Sequence, residues 1–263
     1  TIHRQIVAQD LRGPKGELMQ IEMFAHGALC MAVSGKCYLS LHEMNASANR
    51  GACYQICRRS YTVKDTDSEV ELEVDGKYIM SPKDLCTIGF INKLIDAGVR
   101  VFKIEGRARS AEYVKTVCEC YNEAIDAYAD GSYSAEKIEH WKERLSTVFN
   151  RGFWNGYYLG QRLGEWSEVY GSKATKKKVC IGKVTNYFTK LHVGEFKLES
   201  YDLRVGDEIL IMGPTTGVVQ MHVPEIRVDL QPVRQVGKGS LFSMPVEPFL
   251  RRGDKLYKLI EAD

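Results

Sequence analysis

Five cysteines in the first third of the chain have a spacing that could hold an inorganic centre. Six residues separate Cys30 from Cys37, fifteen more precede Cys53, and three separate Cys53 from Cys57. Cys86 follows further along the chain. Thiolates are soft ligands that select zinc, copper(I) or iron–sulfur clusters, and four of them satisfy either a tetrahedral zinc ion or a cubane cluster.

The spacing favours a group larger than a single zinc ion. Structural zinc sites usually use a tight pair of cysteines, about two to four residues apart, on each side of the metal. Only Cys53 and Cys57 approach that spacing. The alternative is that the thiols are small buried hydrophobic side chains, which is how we interpret Cys118, Cys120 and Cys180.

The composition limits the classes of protein that the chain can represent. Its 263 residues carry a formal net charge of +2, so a nucleic-acid role would need a local basic patch. No apolar run approaches the roughly 18 residues of a membrane span. The first residue is Thr1, and the polar opening lacks the pattern of a signal peptide. We therefore expect a fragment of a longer cytoplasmic protein, without a membrane partner, whose cysteines are reduced.

Residues 1–165 have the alternating pattern of an α/β domain. Buried parallel strands are predicted for the apolar runs at 19–24, 78–80 and 100–105. Helices are predicted from apolar spacing over 82–98, 110–131 and 134–150. A complete (β/α) barrel needs about 250 residues, so this segment fits only the C-terminal part of a TIM-like barrel. The missing N-terminal half of that barrel would then be a partner of this chain.

The remainder of the chain predicts a second, all-β domain. Residues 166–178 are polar and basic and have the composition of a linker. Residues 179–263 contain six short apolar segments separated by Gly-containing turns, and no helical period interrupts them. This pattern is typical of a small β-barrel, which we interpret as a binding or positioning module.

Several motifs together resemble the collagenase-like peptidase family, number thirty-two among the peptidases of unknown catalytic type. The motifs are FAHGALCMAVSGKCYLS, NRGACYQICRRSY, YIMSPKDLC and VFKIEGRARSAEYV, and NRGFWNGYYLG also resembles a recurrent element of that family. The resemblance spans about residues 19–170. The β segment resembles the small C-terminal barrel of the tRNA-modifying branch.

The resemblance implies chemistry that differs from the family name. Members are built on an (α/β) barrel, and the better understood ones resemble oxygen-independent hydroxylases of tRNA wobble uridine, ribosomal RNA or ubiquinone precursors, with prephenate as hydroxyl source. A [4Fe–4S] cluster is the implied cofactor, with zinc as the alternative in aerobic preparations. By position, its ligands correspond to Cys30, Cys37, Cys53 and Cys86. Cys57, in a form of the motif found in the RNA-acting branches, is the reserve ligand, and we favour the tRNA branch.

Four arginines are candidates for substrate binding. Arg50 and Arg58 flank the third and fourth cysteines, and Arg107 and Arg109 follow the strand predicted at 100–105. Guanidinium groups bind carboxylate or phosphate through two parallel hydrogen bonds, so both a prephenate-like carboxylate and the backbone of tRNA or another RNA would suit them. A structural Glu105–Arg107 ion pair is the alternative.

Three further residues are candidates for catalysis. Lys103 and Glu105 share one face of their predicted strand, and a Lys–Glu pair pointing into a barrel would be costly without a role. His26 precedes the first cysteine and could relay a proton, although a hydrogen-bonded core histidine is the alternative.

Two other functions stay open. A true peptidase lacks support from the sequence, because neither H-E-x-x-H nor G-x-S-x-G occurs, although Cys30 near His26 could be proposed as a nucleophile and its base. A non-catalytic RNA-binding module stabilised by zinc is the third interpretation.

Overall fold

A computed structural model describes residues 2–30, 32, 37–74, 82–107, 109–162, 164–167 and 171–262. The chain divides into two compact units. The first consists of Thr1–Arg109 and Thr116–Ala174, and the second consists of Ser110–Lys115 and Thr175–Asp263. The predicted strand at 78–80 lies outside the described residues.

The helices are short apart from two. They are α1 (Ile2–Ala8), α2 (Leu39–Met44), α3 (Ile91–Asp96), α4 (Ala111–Ala129) and α5 (Ala135–Ser146). In α4, the periodic side chains of Tyr113, Val117, Tyr121 and Ala124 are all buried, which confirms the predicted helix face. Ser134 is the N-cap of α5 as predicted, since its Oγ accepts a hydrogen bond from the Lys137 N–H at 3.3 Å.

A mixed four-stranded sheet lies at the centre of the first unit. The strands up to residue 154 are β1 (Ile21–Ala28), β2 (Tyr61–Lys64), β3 (Glu71–Val74), β4 (Asp84–Cys86), β5 (Val99–Glu105) and β6 (Phe153–Trp154). The sheet has the order β5-β1-β4-β6, and β2 pairs with β3 in a separate hairpin. Strand β1 is parallel to β5 but antiparallel to β4, with His26 opposite Cys86.

The antiparallel pair β1–β4 differs from the parallel arrangement that the sequence predicted. Parallel neighbours need a crossover connection, usually a helix packed on the sheet. The described part of residues 29–83 instead forms the six-residue α2, two 3₁₀ turns (Ala48–Arg50 and Ile56–Arg58) and the β2–β3 hairpin. Residues 84–86 form β4, so the prediction of a helix over the whole of 82–98 was wrong at its start.

The second unit is built around a large antiparallel sheet. Its strands are β7 (Lys176–Phe188), β8 (Val193–Leu198), β9 (Leu203–Arg204), β10 (Glu208–Gly213), β11 (Gly217–His222), β12 (Ile226–Val228), β13 (Gln231–Val233), β14 (Gln235–Val236), β15 (Leu241–Pro245) and β16 (Lys255–Glu261). Eight of them form one sheet in the order β11-β10-β16-β7-β8-β15-β12-β13. Its core includes Ile181, Phe196, Ile211, Phe242 and Leu256.

The all-β character of the second unit agrees with the alternating sequence pattern. Strand β7 begins at Lys176, inside the segment 166–178 that the sequence assigned to a linker. Lys176, Lys177 and Lys178 pair with β16, Lys178 lying opposite Leu259. Their charge had suggested a solvated linker, but Lys176 and Lys178 form ion pairs with Glu208 and Glu112. Among the described residues, no helix is long and apolar enough to cross a membrane.

The close packing of β7 against β8 can be tested by a substitution at Gly182. A Cβ atom at Gly182 would lie 2.2 Å from the Lys197 carbonyl oxygen, whereas one at Gly237 would meet no heavy atom within 4 Å. We expect Gly182→Ala to destabilise the second unit by about 2 kcal/mol, because the two strands must separate, and Gly237→Ala to change stability by less than about 0.5 kcal/mol. All three tryptophans lie in the first unit, so urea unfolding followed by far-UV circular dichroism is the appropriate measurement. Equal midpoints for the two variants would contradict the packing.

Candidate thiolate centre

Four of the five candidate cysteines lie on the segment that follows β1. Cys30 is exposed two residues beyond the end of that strand, and Cys37 and Cys53 are half-buried. Cys57 is also half-buried and lies within the 3₁₀ turn Ile56–Arg58. All four are free thiols. The local chain is therefore made of short turns that can present several sulfur atoms without the constraint of a long helix or strand.

Charges and hydrogen bonds connect the segments that carry these four thiols. Burial raises the pKa of the Cys57 thiol above its ordinary value, and the charge of Arg58 opposes this effect. The charges of Cys30, Cys53 and Cys37 raise the same pKa further. Two hydrogen bonds link the same segments: the Tyr54 N–H, next to Cys53, donates to Ser40 Oγ at 3.2 Å, and Arg58, next to Cys57, donates to the carbonyl of Leu29, next to Cys30, at 3.1 Å.

Cys86 has different neighbours. It is buried in β4, where the Tyr121 hydroxyl lies 4.0 Å from its Sγ. Burial raises the pKa of Cys86 to about 11, and the nearby charge that acts on it comes from Lys142 of α5. The side chain thus faces the packed helices. Both Cys86 and the reserve ligand Cys57 stay predictions for the fourth ligand, with Cys86 on strand β4 and Cys57 on the segment that carries the other three cysteines.

The chemistry of the donor set suits either a zinc ion or an iron–sulfur cluster. Four thiols on one segment are soft ligands, and both groups are bound by four thiolates. Among the described residues, no group of three or more His, Cys, Asp or Glu side chains is arranged to hold one metal ion.

His26 is a buried neutral side chain. Its ring packs against Tyr121 and Phe153, with 5.5 Å between centroids in each pair, and its Nδ1 lies 3.4 Å from the Tyr121 hydroxyl. Burial lowers the pKa of His26 to about 3, and the charge of Arg109 acts in the same direction. This environment is typical of a hydrogen-bonded core histidine, the alternative to a proton relay that was given from the sequence.

The two other candidate catalytic residues do not form a buried pair. Lys103 is exposed, pairs with Glu22 at 3.7 Å and lies 5.0 Å from the centroid of the Phe24 ring. Glu105 is half-buried, and its Oε1 accepts a hydrogen bond from the Arg107 N–H at 2.8 Å. In this chain Lys103 thus lies at the surface of the sheet and not in a buried pair with Glu105, and its catalytic role stays a prediction.

The candidate substrate-binding arginines separate into exposed and buried groups. Arg50 and Arg107 are exposed, and Arg107 donates to the carbonyl of Gly51 at 3.4 Å. Arg58 is part-buried and donates to the carbonyls of Leu29 and Pro82. The Arg109 side chain is only 5% exposed. The exposed pair is accessible to a large substrate, whereas Arg58 and Arg109 are engaged in the interior.

Asp84 is the centre of a charge network that sequence reasoning missed. Its carboxylate is 1% exposed and lies 3.2 Å from Arg109 Nη2 and 3.6 Å from Arg151 Nη1. The Arg151 N–H also donates to Asp84 Oδ2 at 3.2 Å, and both guanidinium groups lie over the Phe149 ring. Burial raises the pKa of Asp84, while the charges of Arg109, Arg151 and Arg58 lower it. We treat the group as an ionised carboxylate because two guanidinium groups contact it directly.

One sequence signal could have found this network. Asp84 interrupts a short run of residues that are otherwise buried, and a charged residue within a buried strand requires a partner. The partners themselves, Arg109 and Arg151, are 25 and 67 positions away and belong to different elements. Their identity could not be read from local pattern.

Comparison with known proteins identifies relatives with two kinds of name. The profile of Peptidase family U32 matches residues 7–168. The chain is 64% identical to "Collagenase" of Porphyromonas gingivalis (strain W83), over 98% of this chain and 62% of that protein. It is 36% identical to "tRNA hydroxylation protein P1" of Bacillus subtilis, over 80% of this chain and 51% of that protein. It is 40% identical to "23S rRNA 5-hydroxycytidine C2501 synthase" of Escherichia coli, over 55% of this chain and 23% of that protein. The chain therefore spans less than two thirds of the length of each of these relatives.

The Asp84 network can be tested by removing its carboxylate charge. Asp84→Asn leaves the buried guanidinium groups of Arg109 and Arg151 without their negative partner, and breaking a buried ion pair in this way costs roughly 3–5 kcal/mol. The matched control is Glu22→Gln, which removes an exposed pair with Lys103 and should cost less than about 1 kcal/mol. Urea unfolding followed by tryptophan fluorescence reports on the first unit in both variants. If Asp84→Asn lowered the free energy of unfolding no more than the control does, the network would not stabilise this unit.

Proposed function

The chain belongs to Peptidase family U32, and from this premise we propose that it is the cysteine-bearing part of an iron–sulfur enzyme that hydroxylates tRNA. The reaction that we propose is oxygen-independent formation of 5-hydroxyuridine at the wobble position, with prephenate as the hydroxyl donor. The observation that carries the proposal is that hydrogen bonds link the segments of four cysteines: the Tyr54 N–H donates to Ser40 Oγ, and Arg58 donates to the Leu29 carbonyl beside Cys30. We place Cys86 outside the ligand set and assign as the ligands of a [4Fe–4S] cluster the four thiols of Cys30, Cys37, Cys53 and Cys57.

The cluster would supply redox chemistry, while the chain holds and tunes it. The four assigned cysteines would each donate one thiolate. Arg58 lies next to Cys57 in the chain, and its positive charge would stabilise a ligating thiolate there. Zinc bound by the same thiols is the alternative occupant, and it would make the chain a structural RNA-binding module.

The exposed arginines support an anionic substrate. Arg50 and Arg107 are both exposed and are brought together by the hydrogen bond from Arg107 to Gly51, the residue after Arg50. Cys53 is three residues beyond Arg50, so this basic pair lies close to the thiol segment along the chain. Guanidinium groups in that position suit the phosphates of an RNA or the carboxylates of a prephenate-like donor.

The names of the relatives support two substrates. Relatives that are 36% and 40% identical are named for hydroxylation of tRNA and of ribosomal RNA. A relative that is 64% identical is named a collagenase, so proteolysis is the second candidate function. The nucleophile–base pair that the sequence offers to a peptidase is Cys30 with His26. His26 is buried against Tyr121 and Phe153, and burial lowers its pKa to about 3, which makes it a poor base for Cys30. We therefore favour RNA hydroxylation.

The rest of the protein completes the proposal. The sheet β5-β1-β4-β6 would be the C-terminal portion of a larger α/β barrel whose other strands come from outside this chain. The antiparallel sheet of the second unit would help to position RNA. We place the enzyme in the cytoplasm, where tRNA is available and thiols stay reduced.

The substrate can be tested by nucleoside mass spectrometry of tRNA. A strain that lacks the gene should lose 5-hydroxyuridine derivatives, and the wild-type gene should restore them. A Cys57→Ala gene should fail to restore them, whereas Cys180→Ala, a change at an exposed thiol of the second unit, should restore them fully. Unchanged 5-hydroxyuridine in the deletion strain would remove tRNA as the substrate. Cleavage of gelatin by the purified protein would then favour the peptidase.

The ligand set can be tested by iron analysis after anaerobic purification. The wild type, Cys86→Ala and Cys180→Ala should each retain about four irons per chain and a brown colour, because these two substitutions leave the assigned thiols intact. Cys57→Ala should lose most of the iron. The opposite pattern, with iron lost from Cys86→Ala and kept in Cys57→Ala, would restore Cys86 as the fourth ligand. A colourless wild type with about one zinc would favour the structural module.

A further inference from the structure

Arg58 joins three separate segments around the candidate thiol site. Its Nη2 donates to the Leu29 carbonyl at 3.1 Å, and its Nη1 donates to the Pro82 carbonyl at 3.4 Å. Leu29 immediately precedes Cys30, and Arg58 immediately follows Cys57. One planar guanidinium group therefore connects the end of β1, the approach to β4 and the turn that carries Cys57.

The other end of the same turn is held by a second guanidinium group. Arg151 Nη2 donates to Gln55 Oε1 at 3.2 Å, and Arg151 also contacts the carboxylate of Asp84. Gln55 adopts a left-handed conformation, with φ of 54°, midway between Cys53 and Cys57. A non-glycine residue in this conformation is strained by about 1 kcal/mol or more and persists only where its surroundings hold it. The turn between the two cysteines is thus fixed from both sides by arginines that themselves contact buried groups.

The charge of Arg58 acts on the same thiols that it positions. An arginine stays protonated in proteins, so its charge is permanent. Its guanidinium group donates to the carbonyl of Leu29, the residue before Cys30, and Arg58 itself follows Cys57, so this charge lies close to both cysteine-bearing segments. One-electron reduction of a bound cluster adds one negative charge, and a nearby positive charge stabilises the reduced form.

We propose that Arg58 is a positioning residue of the thiolate centre, which fixes the segments carrying Cys30 and Cys57 and raises the reduction potential of the cluster that they bind. The inference rests on the proposed iron–sulfur function. The sequence had suggested Arg58 as a substrate-binding residue. The inference assigns it a positioning role instead. The contacts of Arg58 with Leu29 and Pro82 are made to main-chain carbonyls, so these two contacts do not depend on the side chains of those residues.

Adjacent residues provide matched variants for a test. Arg58→Gln removes the charge and can replace at most part of the two-carbonyl contact. Arg58→Lys keeps the charge but lacks the planar fork that reaches both carbonyls. Arg59→Gln is the control, because Arg59 is exposed and directly follows Arg58. Far-UV circular dichroism establishes that each variant is folded.

Two measurements separate the charge of Arg58 from its hydrogen bonds. In the iron-loaded protein, a redox titration followed by visible absorption should give a more negative potential for Arg58→Gln, and values near the wild type for Arg58→Lys and Arg59→Gln. In the iron-free protein, hydrogen exchange of peptides covering 24–30 and 53–60 should become at least several-fold faster in both Arg58 variants and stay unchanged in Arg59→Gln.

The outcomes distinguish this inference from the function on which it rests. A wild type that binds iron, combined with an unmoved potential in Arg58→Gln, overturns the inference and leaves the proposed function intact. An equal shift in Arg59→Gln also overturns it, because the effect would then be that of any nearby surface charge. A wild type that binds no iron overturns the proposed function and the effect on potential with it. Faster hydrogen exchange would in that case still support the positioning of the two segments by Arg58.

Discussion

The architecture around the thiols depends on one constraint, which is that the buried carboxylate of Asp84 must be compensated. A carboxylate that is 1% exposed cannot stay ionised without cationic partners, and here Arg109 and Arg151 approach it from two different parts of the chain. Asp84 also begins β4, and its N–H donates to the Gly152 carbonyl beside β6. The ion pairs therefore fix the short strands β4 and β6, which contain few residues for pairing, in the same sheet as β1.

The same network explains why the thiol segment can be both loop-like and ordered. Residues 37–60 bury few large side chains, with Ile56 as an exception, so hydrophobic packing alone gives little reason for a unique conformation. Arg151 reaches this segment through Gln55, and Arg58 reaches back from it to the end of β1. The hydrogen bonds of Arg151 and Arg58 thus connect the polar thiol segment to the buried Asp84 network and to β1. An anionic cofactor or substrate beside such a loop would meet guanidinium groups that are already oriented.

Periodic patterns in the sequence predicted helix α4 and the strands of the second unit. The buried face of α4 follows from its 3.6-residue period, and the strands of the second unit follow from alternation and turns. The direction of β4 could not be predicted, because three buried residues carry no period that distinguishes a strand from a helix or a parallel strand from an antiparallel one. Strand alternation predicted that Lys103 and Glu105 lie on the same face of β5. The assumption of a closed barrel then predicted that this face points into the barrel interior. The contact of Lys103 with Glu22 shows that the parity of a strand does not say which side faces solvent.

The choice between Cys57 and Cys86 shows how position in a motif and physical surroundings can disagree. Cys57 is the fourth cysteine in chain order, whereas the family resemblance selects Cys86 by its position in the motif YIMSPKDLC. The surroundings select by a different criterion, since a ligand must be deprotonated and must face the other ligands. Burial raises the pKa of both thiols, so the pKa does not separate them. Their locations differ: Cys86 is buried in β4 beside Tyr121, whereas Cys57 is half-buried in a turn next to Arg58, which donates to the carbonyl of Leu29, the residue before Cys30. The proposed assignment of Cys57 as the fourth ligand therefore rests on this hydrogen bond between the segments that carry Cys57 and Cys30.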